Sequence, residues 1–191
     1  MSLPPLILAS VSPRRRELLQ QLEVEFTVVP SNAKELHEEQ LTAWELSQLN
    51  ACRKARPVAK HNPDALVLSA DTLVYLGTRL YGKPADHADA IRMLMELQGH
   101  THQVITGICL LHLRTHRQKI FADVTGVTFR SLTRAQIENY LSKINPLDKA
   151  GAYAIQEHGE LIVEEISGSF SNVVGLPVER LQEELEKWNL R

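Results

Sequence analysis

Residues 5–22 read PLILASVSPRRRELLQQL, and the fold turns on how this stretch divides. PLILAS (5–10) is a short apolar run, most simply a buried strand. A helix follows it. Ser12 is a good N-cap, because its side-chain oxygen can accept a backbone N–H of the first turn. Pro13 then falls at the first helical position, where its missing N–H costs nothing. Leu18, Leu19 and Leu22 supply a stripe to bury. The first turn also carries Arg14, Arg15 and Arg16. A helix N-terminus has positive partial charge, so cations there repel it. Two readings stand side by side. The arginines are solvated surface charges, or an anion arrives from outside. In the second case arginine forks match phosphate oxygens at a helix start, and Ser10 and Ser12 add hydroxyl donors.

Outward from this unit, VEFTVV is a second strand and residues 30–41 are a polar loop. In that loop Glu35, Glu38 and Glu39 cluster, and as a group they read as a solvated acidic loop. TAWELSQLNACRKARPVAK predicts a helix at least to Arg56, before Pro57 interferes. ALVLSADTLVYL is a long strand pattern, and GTRLYGKP is turn-rich. DHADAIRMLMELQG is a helix with Gly99 as its C-cap. HQVITGICLLHL and KIFADVTGVTFRSL form a strand pair joined by the polar RTHRQ turn. Thr133 and Gln136 fit a capping box, so another helix begins there. PLDKAGAYAIQ is irregular, ELIVEEISGSFSN is strand then turn, and PVERLQEELEKW is a final helix. Strands and helices mix without strict alternation. The pattern predicts an α/β architecture with a mixed sheet rather than a doubly wound parallel one.

The 191 residues suit one ordinary domain with a real core. A second lobe, if there is one, is an insertion around residues 85–145. At 43% hydrophobic and 23% charged, the composition is that of a soluble globular protein. A net charge of -2 argues against bulk binding to nucleic acid or an anionic membrane, so an anion site must be local. Cys52 and Cys109 are far apart and form no C-x-x-C, which suits a reducing compartment and offers no zinc framework. The N-terminal apolar run is too short for a signal peptide, and no segment is long enough to span a membrane. A cytoplasmic location is expected.

Several residues carry possible chemistry. In GTRLYGKP (77–84), Gly77, Gly82 and Lys83 match the first seven positions of a P-loop, but Pro84 offers no hydroxyl for Mg²⁺. Lys83 is then either an exposed turn lysine or a phosphate ligand on a stiff turn. Asp71 lies in the middle of an apolar strand pattern, where a carboxylate is costly unless paired, hydrogen-bonded or metal-bound. It is either a strand-end acid bonded to backbone, or a metal ligand or general base. Lys54 reads by default as a surface lysine. Asp148 and Lys149 sit in an irregular segment, where binding residues are enriched. The pairs His100/His102 and His112/His116 lack metal spacing on a helix and read as structural or solvent-facing. Together the cations suit several phosphates and the carboxylates suit a hard divalent metal, as in a metal-dependent reaction on a polyphosphate.

The segments LASVSPRRRELL, RKA, SADTLVYLGTRLYGKP, ITGICLL, PLDKAGAYAIQ and GSFSNVVGLP occur in an order and at spacings that resemble the Maf family of nucleotide pyrophosphatases. The resemblance runs from Leu6 to the final helix. It implies a mixed α/β fold, a twisted sheet flanked by helices in two lobes with a cleft, related to the inosine-triphosphate pyrophosphatases. It implies hydrolysis of a nucleoside triphosphate between the α and β phosphates, with Mg²⁺ or Mn²⁺, in a cytoplasmic homodimer. Ser10, Arg14 and Arg15 align with the family's phosphate-binding turn. Glu35 matches its acidic position after the second strand, Lys54 the lysine of a usual E-K-A, Asp71 the catalytic acid and Lys83 the G-K-P lysine. The resemblance assigns metal binding to Glu35 and Asp71 and places Lys54 near the phosphates.

Arg14, Thr72 and Gln156 resemble the branch acting on dTTP and UTP rather than the one acting on 7-methyl-GTP. A Gln amide can meet the carbonyl and adjacent N–H of uracil or thymine with two hydrogen bonds, though it could flip to suit cytosine. Two departures stand out. Arg53 replaces the usual Glu before Lys54, and IQEHGE replaces a glycine-rich turn after Gln156. The alternatives are the same chemistry on 7-methyl-GTP, or a nucleotide-binding regulator of septum formation without catalysis.

Overall fold

The computed structural model describes residues 4–36 and 40–188. Glu38 and Glu39 of the acidic loop lie outside the described residues. The chain divides into two compact units. The first comprises residues 1–71, 106–123 and 175–191, and the second 72–105 and 124–174.

The first unit opens as the sequence predicts. β1 (Leu6–Leu8) is fully buried and leads through Ser12 into α1 (Pro13–Gln20). Ser12 caps α1, its Oγ accepting the Arg15 N–H at 3.4 Å, and the first turn contains no acid. β2 (Phe26–Val28) runs parallel to β1, as does the first half of β3 (Leu66–Leu76). In register, Leu6 stands opposite Phe26 on one side and Leu66 on the other.

α2 (Ala43–His61) begins with a capping box between Thr42 and Glu45. It runs through Pro57 to His61, five residues past Arg56. A proline removes one backbone donor and crowds the preceding turn. Here the donor is lost above Arg53, on an exposed side, while Val58 and Ala59 just beyond are buried. Burial of that next turn outweighs the local defect. The helix packs on an apolar cluster that includes Ile7, Ala55, Ala59, Val67 and Leu111. α6 (Val178–Glu186) buries Leu181 and Leu185 in the same unit.

The second unit has its own core around Leu94, Leu97, Val127, Phe129, Ile137 and Tyr140. α3 (His87–Leu97), capped by Asp86, supplies two of these. α4 (Arg134–Leu141) supplies two more and starts with the Thr133–Gln136 capping box read from the sequence. The far half of β3 turns at Gly77, whose φ is +60°, into β4 (Arg79–Tyr81). The turn-rich stretch 77–84 thus holds a short antiparallel strand that its composition hides. β6 (Arg117–Phe129) pairs antiparallel with β7 (Val163–Ser167). After β7 the SGSFSN segment winds into a short helix, α5 (Phe170–Val174), where only a turn is predicted.

β5 (Thr101–His112) completes the strands, and the sheet order is β2-β1-β3-β5-β6-β7, with β4 on β3. Parallel and antiparallel pairs coexist, so the sheet is mixed as expected.

Candidate active site

The apolar strand β3 places Asp71 where water barely reaches, and the residue is 3% exposed. Its partners are side chains. Oδ1 accepts from Lys54 Nζ at 2.6 Å, and Oδ2 accepts from Asn50 Nδ2 at 3.2 Å. The backbone-bonded strand-end acid is therefore not what the fold builds. Burial pushes the Asp71 carboxyl above the usual range, and the Lys54 ammonium pulls it back. Lys54 also holds Glu35 Oε1 at 2.6 Å. One ammonium thus bridges two carboxylates from residues far apart in sequence.

Lys54 reaches them because of its helix. Positions 50 and 54 of α2 lie one turn apart, so both side chains leave the same face. Asn50 is buried and does a second job. Its Oδ1 accepts the Leu36 N–H at 2.8 Å and its Nδ2 donates to the Leu36 carbonyl at 3.2 Å. That pair of bonds fastens the loop next to Glu35 onto α2. Sequence reasoning did not single out Asn50. Its only signal is a polar residue on the buried stripe of Leu46, Ser47, Ala51 and Val58. Arg53, the departure from the usual Glu, sends its Nε to the Lys34 carbonyl of the same loop at 3.5 Å.

The arginine turn stands beside these acids. Burial lowers the pKa of Arg15, while Asp71 and then Glu35 raise it by attraction. Its Nε donates to the Gly175 carbonyl at 2.9 Å, which fixes the guanidinium in place. Ser10, at the end of β1, is buried, and its Oγ accepts the Ser12 N–H at 3.1 Å. Arg14 is half-buried and Arg16 exposed. The first unit therefore joins Glu35, Lys54, Asp71 and Asn50 in one bonded network, with Arg15 in the field of both acids and Ser10 and Arg14 in the same strand-to-helix stretch as Arg15.

The other candidates belong to the second unit. Thr72 follows Asp71 on β3 and is half-buried. Lys83 is exposed, and the turn before it is held because Gly151 N–H donates to the Gly82 carbonyl at 3.0 Å. Gln156 is exposed on a turn. Lys149 is only 5% exposed; its ammonium contacts the Asn145 carbonyl at 2.7 Å, Asp148 at 2.9 Å and Glu157 at 3.4 Å. Glu157, the other departure, thereby ties the Gln156 turn to the 145–149 segment.

Of the histidines, His102 is buried against Phe129 and Tyr153, and His112 bonds Thr115 Oγ1 and the Asp64 carbonyl. Among the described residues no group of three or more His, Cys, Asp or Glu side chains could hold a metal ion. The two carboxylates on Lys54 are all oxygen donors, however. They match the habit of Mg²⁺, which takes one or two protein carboxylates and completes its shell with phosphate oxygens and water.

A mixed α/β sheet here sets an arginine-rich helix turn beside a lysine that bridges two acids. The chain belongs to the Maf-like protein family, whose model matches residues 5–188. A dTTP/UTP pyrophosphatase of Gloeobacter violaceus is 48% identical over 186 residues, covering 97% of each chain. One of Akkermansia muciniphila is 44% identical over 176 residues, covering 92% of each. In fold the chain is similar to the Ham1 protein of Staphylococcus aureus, with a TM-score of 0.56 at 16% identity over 96% of this chain and 98% of that one.

Proposed function

We propose that this chain is a nucleoside triphosphate pyrophosphatase that hydrolyses dTTP and UTP to the monophosphate and pyrophosphate, clearing these or modified pyrimidine triphosphates from nucleotide pools. The observation that carries the reading is the Glu35–Lys54–Asp71 bridge in the field of Arg15. The relatives of Gloeobacter and Akkermansia, named for this reaction, support it.

Ser10, Arg14 and Arg15 take the triphosphate, whose charge answers the repulsion of three cations at a helix start. Lys83 is assigned to the same phosphates, with Lys54 nearby. Glu35 and Asp71 would hold Mg²⁺ or Mn²⁺, which supplies Lewis acidity toward phosphate oxygens when bound. Asp71 orients a water and takes its proton at a carboxylate oxygen while the water oxygen attacks the α-phosphorus. The bond from the α-phosphorus to the bridging oxygen breaks, and pyrophosphate leaves. A carboxyl pushed upward by burial is a better base near neutral pH than an ordinary one. Fixed charges do most of the catalytic work in such chemistry. Thr72 and Gln156 are assigned to the base.

No described helix is long and apolar enough to cross a membrane. A cytoplasmic homodimer fits this reading. Phosphorus NMR of products after incubation with dTTP and Mg²⁺ or Mn²⁺ tests it. Thymidine monophosphate and pyrophosphate, lost in Asp71→Asn, support the proposal. Thymidine diphosphate and inorganic phosphate, or no turnover of either nucleotide, overturn it.

A further inference from the structure

The two cysteines, far apart in sequence, meet in the first unit. Cys52 of α2 and Cys109 of β5 belong to one apolar cluster. Gln118 of β6 spends its amide nitrogen on both, 3.5 Å from Cys52 Sγ and 3.6 Å from Cys109 Sγ. The pair is asymmetric. Cys52 is 7% exposed and Cys109 is sealed at 0%. Arg56, one helical turn beyond Cys52, adds positive potential at the outer sulfur.

Buried cysteines are ordinarily inert small hydrophobes. This pair differs in two respects: an amide donor shared by both sulfurs and a nearby guanidinium. Both favour negative charge on Cys52. The direction of the shifts agrees, with Cys52 lowered, first by its bond with Cys109, and Cys109 raised, first by its bond with Cys52.

We propose that Cys52 and Cys109 form an oxidisable dithiol, in which a peroxide drives a reversible intrachain disulfide between α2 and β5. The Cys52 thiolate attacks one peroxide oxygen, the O–O bond breaks, and hydroxide leaves to take up a proton as water. Cys52 is now a sulfenic acid. The Cys109 sulfur attacks the Cys52 sulfur, the S–O bond breaks and a second water leaves, carrying the Cys109 proton. Two thiols are oxidised and one peroxide is reduced to two waters. A dithiol reductant reverses the reaction by exchange. Such a bond is of the transient kind found in reducing compartments. Cys52 lies on α2 between Asn50 and Lys54, the two α2 residues bonded to Asp71, so the cross-link would anchor the same turn of helix.

The test uses the intact native chain and does not depend on turnover. The protein is treated with a small excess of hydrogen peroxide, denatured, alkylated and mapped by mass spectrometry. The expected product is a Cys52–Cys109 linked peptide pair, two hydrogens lighter than the reduced peptides and restored by dithiothreitol. Cys109→Ala should leave a sulfenic acid at Cys52 that dimedone traps, whereas Cys52→Ala should leave Cys109 unoxidised. Gln118→Leu should slow cross-linking several-fold. Full alkylation of both cysteines after peroxide, over-oxidation of Cys52 without a cross-link, or a disulfide only between two chains would each overturn the proposal.

Discussion

Lys54 Nζ stands 2.6 Å from a carboxylate oxygen of Asp71 and 2.6 Å from one of Glu35. A buried ion pair contributes little net stability, but breaking one leaves an uncompensated buried charge. Asp71→Asn keeps the shape and removes the base, so the rate of pyrophosphate release should fall at least ~100-fold. Lys54→Met should also lower the rate, by about 10- to 100-fold, because the two acids then lose the ammonium that holds them in place. Steady-state kinetics with dTTP measures both. A near-wild-type rate for Asp71→Asn would remove the carboxylate from the chemistry.

Gly107 of β5 lies directly beneath the α2 backbone. A Cβ at this position would stand 2.3 Å from the Ser47 carbonyl carbon and 2.5 Å from the Gln48 nitrogen. No rotamer change relieves a clash with backbone. Gly107→Ala should cost about 3 kcal/mol in urea unfolding, at the upper end of overpacking effects. Gly126→Ala is the control, since its nearest atoms are 3.7 Å away. It should change stability by less than ~1 kcal/mol. Equal midpoints for the two variants would contradict the close approach.

What the sequence disclosed depended on the range of the interaction. The Ser12 cap and the Thr133–Gln136 box are signals within one helical turn, and each lies where the pattern places it. The α3 cap is Gln98, one residue before the expected Gly99, whose N–H bonds the distant Arg130 carbonyl. β4 and α5 are three and five residues long, too short for periodicity to register. Pro57 misleads because propensity is local, whereas the burial that carries α2 onward to His61 is tertiary. In the candidate site, the oddity of Asp71 was legible as an acid in an apolar strand. Its partners were not, because Lys54 reads as a surface lysine and Asn50 as one polar residue in a helix. Only their common helix face, set against β3, reveals them. The cysteines teach the same lesson, since spacing along the chain says nothing of a contact made between α2 and β5.

His102 is wholly buried, with Phe129 at 4.6 Å and Tyr153 at 5.4 Å between ring centres, and its Nε2 pairs with Tyr153 Oη at 2.8 Å. Burial lowers its pKa from 6.5 to about 4. Between these values the unfolded chain binds a proton that the folded chain does not. Stability from the neutral ring is therefore complete above the unfolded pKa and falls as pH drops toward 4. The loss should approach about 3 kcal/mol across that window. The double variant His102→Phe with Tyr153→Phe removes both the titration and the hydroxyl it would orphan. Urea midpoints at several pH values should show a shallower acid slope than wild type. Parallel slopes would show that His102 does not set the acid limit.

Gln156 occupies an exposed turn whose next residue, Glu157, lies 3.4 Å from the buried Lys149 ammonium. That ion pair, with the bonds from Lys149 to Asn145 and Asp148, limits how far the turn can swing. If the Gln156 amide meets thymine or uracil with two hydrogen bonds, Gln156→Ala should lower kcat/KM for dTTP and UTP by about 10- to 100-fold. It should lower CTP turnover less, so the ratio between the bases narrows. Glu157→Gln leaves the amide intact but weakens its tether. Its mark should be a narrower dTTP-to-CTP ratio with kcat for dTTP changed less than twofold, a pattern general destabilisation does not produce. Competition between dTTP and CTP in one reaction reads the ratio directly. An unchanged ratio in Gln156→Ala would move base selection to other residues, with Thr72 the next to substitute.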